Sequence, residues 1–150
     1  MSMDIENYYD KIYRYCRFRV NDKSLAEDLT QETFLRFLNS SPDEPERYLY
    51  TIARNLCIDE YRKNHEDSFD DMDEPSSDGF EDHLIGSITL RRALEKLSDE
   101  ERDMLILRYV NGESVQEISK LTGLSRFAVY RRCMDAKKRL SDLLGERINE

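Results

Sequence analysis

The chain has 150 residues, enough for one ordinary domain or two small ones, and 37% charged beside 39% hydrophobic residues indicates a soluble, helix-rich protein. Its formal net charge is −9, and no apolar run approaches the roughly 20 residues needed to span a membrane. The acidic start, MSMDIENYYDK, lacks the hydrophobic core of a signal peptide, so we expect a cytoplasmic protein.

Cysteine and histidine are sparse and scattered. Cys16, Cys57 and Cys133 stand far apart, without a second cysteine or a histidine at ligand spacing. We expect reduced thiols that fill small gaps in the core, and no disulfide or metal site. The sequence contains no glycine-rich phosphate loop and no Ser/His/Asp set, so it indicates no cofactor and no enzyme.

Two amphipathic helices are predicted in the first third of the chain. Residues 5–20 repeat apolar side chains at helical spacing, and their aromatic rings are most simply core. Ser24 and Glu27 predict a capping box at the start of a second helix that ends at Leu38. In that helix Leu35 and Phe37 are apolar but lie outside the narrow stripe that would face the core, which indicates a partner-binding surface. Four residues can face inward: Leu25, Leu29, Phe34 and Leu38.

A third helix is predicted at residues 48–63, after a loop at residues 39–47 that contains two prolines and two serines. Its outer face interleaves aromatic, amide and guanidinium groups, which can stack on and hydrogen-bond to unpaired bases. On composition alone, a solvated face with a few ion pairs is the simpler interpretation. The residues of this face are Tyr50, Thr51, Arg54, Asn55, Asp59, Arg62 and Lys63.

Residues 64–85 contain nine acids and no Lys or Arg. This composition predicts a solvated, flexible linker between two domains, residues 1–63 and 86–150. The linker carries a net charge of −9, against −2 and +2 for the domains before and after it. We expect this linker to repel nucleic acid and so to keep the free protein off DNA. Alternatively, the linker occupies a basic groove on a partner.

The second domain begins with two predicted helices. The first covers residues 87–97, and Ser98 with Glu101 then predicts a capping box for a helix that continues to Tyr109. Asn111 and Gly112 follow as a tight turn.

A helix-turn-helix is predicted at residues 114–140. Ser114 and Glu117 form a further capping box, Gly123 breaks the helical pattern, and Ser125 can cap the second helix. Within this second helix an apolar stripe is spaced at four, three and four residues: Val129, Cys133, Ala136 and Leu140. Lying mostly off the stripe are Arg126, Tyr130, Arg131, Lys137 and Lys138.

Charge favours a nucleic-acid surface on this second helix. Residues 125–139 hold six basic residues and one acid, Asp135, in a chain that is acidic overall. The alternative is an ordinary helical hairpin with a solvated charged face.

Three segments together resemble a known family. LAEDLTQETFLRFL, YLYTIARNLCIDEYRK and ALEKLSDEERDMLILRYVNGESVQEISKLTGLSRFAVYRRCMDAKKRL are similar, in order and spacing, to the extracytoplasmic-function (group IV) sigma factors of the sigma-70 family. The resemblance implies an all-α protein of two small helical domains, region 2 and region 4, joined by the acidic linker. It also implies a non-enzymatic role in promoter-specific transcription initiation, with bacterial core RNA polymerase and promoter DNA as partners and an anti-sigma protein as a further one.

The resemblance assigns site residues in three groups. Contacts with the polymerase clamp helices fall on Asp28, Leu29, Gln31, Glu32, Phe34 and Leu35. Contacts with the minus-ten element fall on Tyr50, Thr51, Arg54, Asn55, Arg62 and Lys63. Contacts with the minus-thirty-five element fall on Ser125, Arg126, Tyr130, Arg131, Arg132 and Lys137.

Departures from the family pattern leave other functions open. The chain has no Trp, and Tyr48 stands near where family members often carry one. Asp135 stands where family members commonly carry a basic residue. Its carboxylate can accept a hydrogen bond from cytosine or pair with Arg131 or Arg139. The alternatives are a stand-alone helix-turn-helix regulator with an N-terminal interaction module, and an acidic adaptor that does not bind DNA.

Overall fold

The computed structural model describes residues 4–67 and 88–148, and within these ranges the regular elements are all helices, with no strand. The chain divides into two compact units, Met1–Glu74 and Pro75–Glu150. Most of the flexible linker predicted at residues 64–85 lies outside the described residues.

The first unit packs three helices on one another, α1 (Ile5–Val20), α2 (Lys23–Leu38) and α3 (Pro45–Asp67). Asn21 caps the C-terminal end of α1 in the left-handed conformation, with φ 53°. The capping box predicted at Ser24 and Glu27 was wrong. The Asp22 carboxylate caps α2 instead, since it lies in extended backbone and accepts a hydrogen bond from the Leu25 amide at 3.0 Å.

Helix α3 is longer at both ends than predicted. It begins at Pro45, three residues before the expected start at Tyr48. Proline suits the first helical position because its fixed φ is helical and its missing N–H would have no partner there. The helix continues to Asp67, so residues 64–67 belong to it and not to the linker.

The core of the first unit combines apolar residues with buried polar ones. Thr30 and Thr33 are fully buried, and their hydroxyls donate to the carbonyls of Ala26 at 2.7 Å and Leu29 at 2.8 Å. The expectation that Leu38 faces inward was wrong, because it is the last residue of α2 and its side chain is 72% exposed. The buried apolar residues are Ile12, Tyr15, Cys16, Ala26, Leu29, Phe34, Leu49, Tyr50, Ala53 and Cys57.

The second unit contains α4 (Ile88–Glu95), α5 (Asp99–Leu105), a π-helix (Ile106–Val110), α6 (Val115–Thr122) and α7 (Arg126–Ile148). The capping boxes at Ser98 and Ser114 are confirmed, each with both reciprocal hydrogen bonds. The single helix predicted through Tyr109 was wrong in its last turn, where the Asn111 amide donates to the Ile106 carbonyl, five residues back, at 2.9 Å.

Helix α7 packs against α4, α5 and α6. Val129, Cys133 and Ala136 of its predicted stripe are buried, as expected. All three cysteines are buried, as expected of residues that fill gaps in the core. A hydrogen bond from the Cys57 thiol lowers the pKa of Cys16 against the opposing effect of burial, whereas burial raises the pKa of Cys133.

Candidate nucleic-acid interface

The turn between α6 and α7 is built as the sequence predicts. Gly123 adopts φ 82°, a left-handed conformation that other residues enter at a cost. The Ser119 hydroxyl donates to the Leu124 carbonyl at 2.6 Å, and the Ser125 hydroxyl accepts from the Ala128 amide at 3.0 Å. These contacts fix where α6 ends and where α7 begins.

The exposed face of α7 carries most of the residues assigned to the minus-thirty-five element. Arg126, Tyr130, Arg131 and Lys137 are all exposed, whereas the stripe on the other side of the helix is buried. We call the side of α7 that lies away from the buried stripe the groove face. Its residues are Arg126, Phe127, Tyr130, Arg131, Met134, Asp135, Lys137 and Lys138.

Arg132 and Ser125 differ from that group. Arg132 is exposed, but its guanidinium points to Glu100 of α5 at 3.8 Å, and the next residue along the same side, Arg139, reaches Glu101 at 3.8 Å. Ser125 is exposed and already accepts the capping hydrogen bond. The groove face therefore does not include Arg132.

Two residues on the groove face were missed by the sequence analysis. The side chains of Phe127 and Met134 are 69% and 52% exposed, and the Arg131 guanidinium lies 5.2 Å from the centre of the Phe127 ring. Their position in the sequence could have identified them as exposed, because both are large and apolar yet fall outside the apolar stripe of α7.

The outer face of α3 is confirmed for most of its predicted residues and wrong for Tyr50. Thr51, Asn55, Arg62 and Lys63 are exposed and Arg54 is half-buried. Tyr50 is only 6% exposed, and its ring packs edge-on against Tyr15 with centroids 5.5 Å apart.

Tyr48 is the aromatic residue that shares the exposed row of α3. It is half-buried, and it begins a row in which the successive spacings are three, four and seven residues: Tyr48, Thr51, Asn55 and Arg62. Its ring lies 6.4 Å from that of Phe37 on α2. Tyr48 therefore offers this face the ring that Tyr50 cannot.

The surface of α2 is also only partly as predicted. Asp28, Gln31 and Leu35 are exposed, and Leu35 is 57% exposed. Glu32 is half-buried and pairs with Arg36 at 2.8 Å. The remaining two residues of the predicted contact set, Leu29 and Phe34, are buried, so they support this surface from beneath and do not form it.

Comparison with known proteins identifies the family. Residues 5–66 match the model for sigma-70 region 2, and residues 87–140 match the model for sigma-70 region 4. The RNA polymerase sigma factor CarQ of Myxococcus xanthus is 35% identical, over 85% of this chain and 79% of that protein. The chain belongs to the sigma-70 family of RNA polymerase sigma factors.

Other similarities agree with this family. The ECF RNA polymerase sigma factor SigW of Bacillus subtilis is 29% identical to this sigma factor, over 93% of this chain and 88% of the relative. The sigma factor RpoE of Bartonella quintana, solved in complex with the anti-sigma factor NepR, superposes with a TM-score of 0.66 at 21% identity, covering 98% of this chain and 96% of that one. The second similarity shows the fold.

Region 4 of this sigma factor keeps Asp135 apart from its neighbouring arginines. Within residues 88–148 no ion pair joins Asp135 to Arg131 or Arg139, because Arg131 lies over Phe127 and Arg139 is directed to Glu101 and to the Lys96 carbonyl. The Asp135 carboxylate is exposed on α7.

In the part of the chain that the structure describes, no helix is long and apolar enough to cross a membrane. Nor does any group of three or more His, Cys, Asp and Glu side chains in residues 4–67 and 88–148 come together as a metal site.

Proposed function

We propose that this sigma factor is of the extracytoplasmic-function (group IV) type, binds bacterial core RNA polymerase in the cytoplasm, and directs it to specific promoters. The observation that carries the proposal is the occurrence of regions 2 and 4 in one chain, each with an exposed surface suited to its own partner. The protein contributes recognition and strand separation, and phosphodiester chemistry is left to the polymerase.

The proposed polymerase contact lies on α2. Asp28, Gln31 and Leu35 recur at spacings of three and four residues, so they share one side of the helix. Leu38 extends this surface with a further exposed apolar side chain. An apolar patch bordered by an acid and an amide is typical of a surface that packs on another helix.

The proposed minus-ten contact lies on the outer face of α3. Thr51, Asn55, Arg62 and Lys63 supply hydrogen-bond donors and positive charge, and Tyr48 supplies an aromatic ring. Unstacking a base costs a few kcal/mol, so strand separation needs stacking and hydrogen-bonding groups of this kind to compensate.

The proposed minus-thirty-five contact is the groove face of α7, lying in the major groove. Its arginines can pair with guanine edges, and its lysines can neutralise phosphates. Arg132 and Ser125 have secondary roles here, since Arg132 is directed to Glu100 and Ser125 caps the helix.

An anti-sigma protein is the proposed third partner. This proposal is supported by the similarity to a sigma factor that was solved with such a protein. A partner that covers α2 or α7 would block polymerase or DNA binding.

A pull-down of core RNA polymerase tests the proposal. The test variant carries Asp28→Ala, Gln31→Ala and Leu35→Ala, which remove an acid, an amide and an apolar side chain from exposed positions. The matched control carries Ile5→Ala, Glu6→Ala and Asn7→Ala, the same three side-chain chemistries at exposed positions of α1. Circular dichroism first establishes that both variants are folded.

We expect wild type and control to retain polymerase and the test variant to lose it. If wild-type protein does not retain polymerase, the proposed function is wrong and the stand-alone regulator becomes the leading account. If all three proteins bind equally, the polymerase contact is not on this side of α2.

A further inference from the structure

The groove face of α7 alternates apolar and cationic side chains along its middle line. Phe127, Arg131, Met134 and Lys138 follow at spacings of four, three and four residues, so they lie one above another on the helix. The buried stripe lies on the opposite side. The alternation is therefore a property of the surface that faces outward.

Phe127 and Met134 are unusual at such positions. Each is more than half exposed although each is large and apolar, and packing within the second unit does not require them there. Large exposed apolar groups between cations suit a partner that offers apolar spots inside a field of negative charge.

The DNA major groove has this combination. Among the four bases, only thymine presents a methyl group in the groove, and the phosphates on both sides attract Arg and Lys. A protein partner would match the apolar spots, but four cations surround them against one acid, Asp135, and this excess of positive charge favours a polyanion. The cations are Arg126, Arg131, Lys137 and Lys138.

We propose that Phe127 and Met134 read thymine methyl groups in the minus-thirty-five element. The inference rests on the proposed function and adds a basis for its specificity. Seven residues of helix rise about 10 Å, roughly three base-pair steps, so the two thymines lie about three base pairs apart if α7 follows the groove.

Arg131 fits between these two contacts. Its guanidinium lies 5.2 Å from the centre of the Phe127 ring, so the ring also holds the arginine fork in one orientation. Phe127 thus acts directly on a methyl group and as a positioning residue for Arg131.

The test uses the full chain assembled with bacterial core RNA polymerase. Holoenzyme first selects bound duplexes from a library with a randomised upstream element. The selected duplex is then synthesised with deoxyuridine replacing thymidine at one position at a time, which removes the methyl group and leaves base pairing unchanged. Affinities are measured by fluorescence anisotropy.

We expect deoxyuridine to weaken binding about fourfold at each of two positions, because it lacks the one methyl-sized group that the contact buries. Met134→Ala should abolish the thymine preference at one position, and Phe127→Ala at the other. Met134→Leu should keep the preference because it keeps an apolar side chain. Lys137→Ala, the control, should weaken binding to thymine and uracil duplexes by the same factor.

Two failures are distinguishable. If holoenzyme selects no element, the proposed function fails. If it selects an element but thymine and uracil duplexes bind equally, or the element contains no A·T pair, the proposed function stands and the methyl readout is wrong. A preference that persists in both alanine variants would also overturn it.

Discussion

Burial separates Tyr50 from its neighbour Thr51, although both were predicted on one face. Tyr50 is 6% exposed and packs against Tyr15, whereas Thr51 is exposed. Tyr50→Ala should lower the free energy of unfolding by about 3–5 kcal/mol, as for other buried aromatic residues. Thr51→Ala should change it by less than about 0.5 kcal/mol.

Urea unfolding followed by circular dichroism measures both changes, and permanganate reactivity of promoter thymines reports strand separation. Thr51→Ala should reduce strand separation in a stable protein. An unchanged stability in Tyr50→Ala would contradict the packing of this ring.

Gly123 and Gly145 give opposite expectations for the same substitution. Gly123 adopts φ 82°, so Gly123→Ala should destabilise the protein by about 1–2 kcal/mol. Gly145 lies within α7, where alanine is the better helix former, so Gly145→Ala should leave stability unchanged or raise it by up to about 1 kcal/mol. Thermal unfolding of the two variants under one set of conditions compares them, and equal shifts would rule out the left-handed turn as the cause.

At the scale of the helix, the start of α2 depends on Asp22. Its carboxylate accepts from the Leu25 amide at 3.0 Å, while Ser24 is already inside the helix and exposed. Asp22→Ala should cost about 1 kcal/mol of stability. Ser24→Ala, the control, should be nearly neutral. Urea midpoints distinguish the two, and a larger loss at Ser24 would restore the capping box that the sequence suggested.

Helical periodicity and capping residues predicted most of the helices. The predictions failed where tertiary packing determines the helix type or which side chains are buried. Residues 102–107 are all buried, including the charged Arg102 and Asp103, so polar and apolar residues do not mark opposite sides of this stretch. The π-helix at Ile106–Val110 depends on the Asn111 amide reaching the Ile106 carbonyl. Tyr50 was predicted on the outer face because it lies outside one narrow apolar stripe. Helix α3 contacts both α1 and α2, so it buries a wider face that includes Tyr50.

The sequence predicted the exposed residues of the groove face of α7 more completely than those of the α2 surface. The buried stripe and the basic residues of α7 occupy different sides of one helix, so the sequence separates them. On α2, buried Phe34 and exposed Leu35 are both apolar, and only packing against Tyr9, whose ring lies 5.2 Å from that of Phe34, tells them apart. Chemistry that differs from the core is readable from sequence, and chemistry that matches it is not.

At the scale of the whole molecule, charge is divided along the chain. Residues 64–85 account for a net charge of −9, equal to that of the full protein, while residues 86–150 carry +2. DNA binding by the groove face depends on phosphate neutralisation and hence on salt. Nine acids tethered to the same chain raise the local negative potential, which opposes the approach of a polyanion.

A variant in which the seven Asp and Glu residues of positions 68–85 become Asn and Gln should therefore bind nonspecific duplex DNA more tightly than wild type. Glu66 and Asp67 stay unchanged because they belong to α3. The gain should be several-fold at about 50 mM salt and should vanish at about 1 M, where the Debye length is only about 3 Å. A control with residues 68–85 in shuffled order keeps the charge and should bind as wild type does. Fluorescence anisotropy across a salt series measures all three proteins. A gain that persists at high salt, or that the shuffled control shares, would mean that the order of residues in this segment matters and its charge does not.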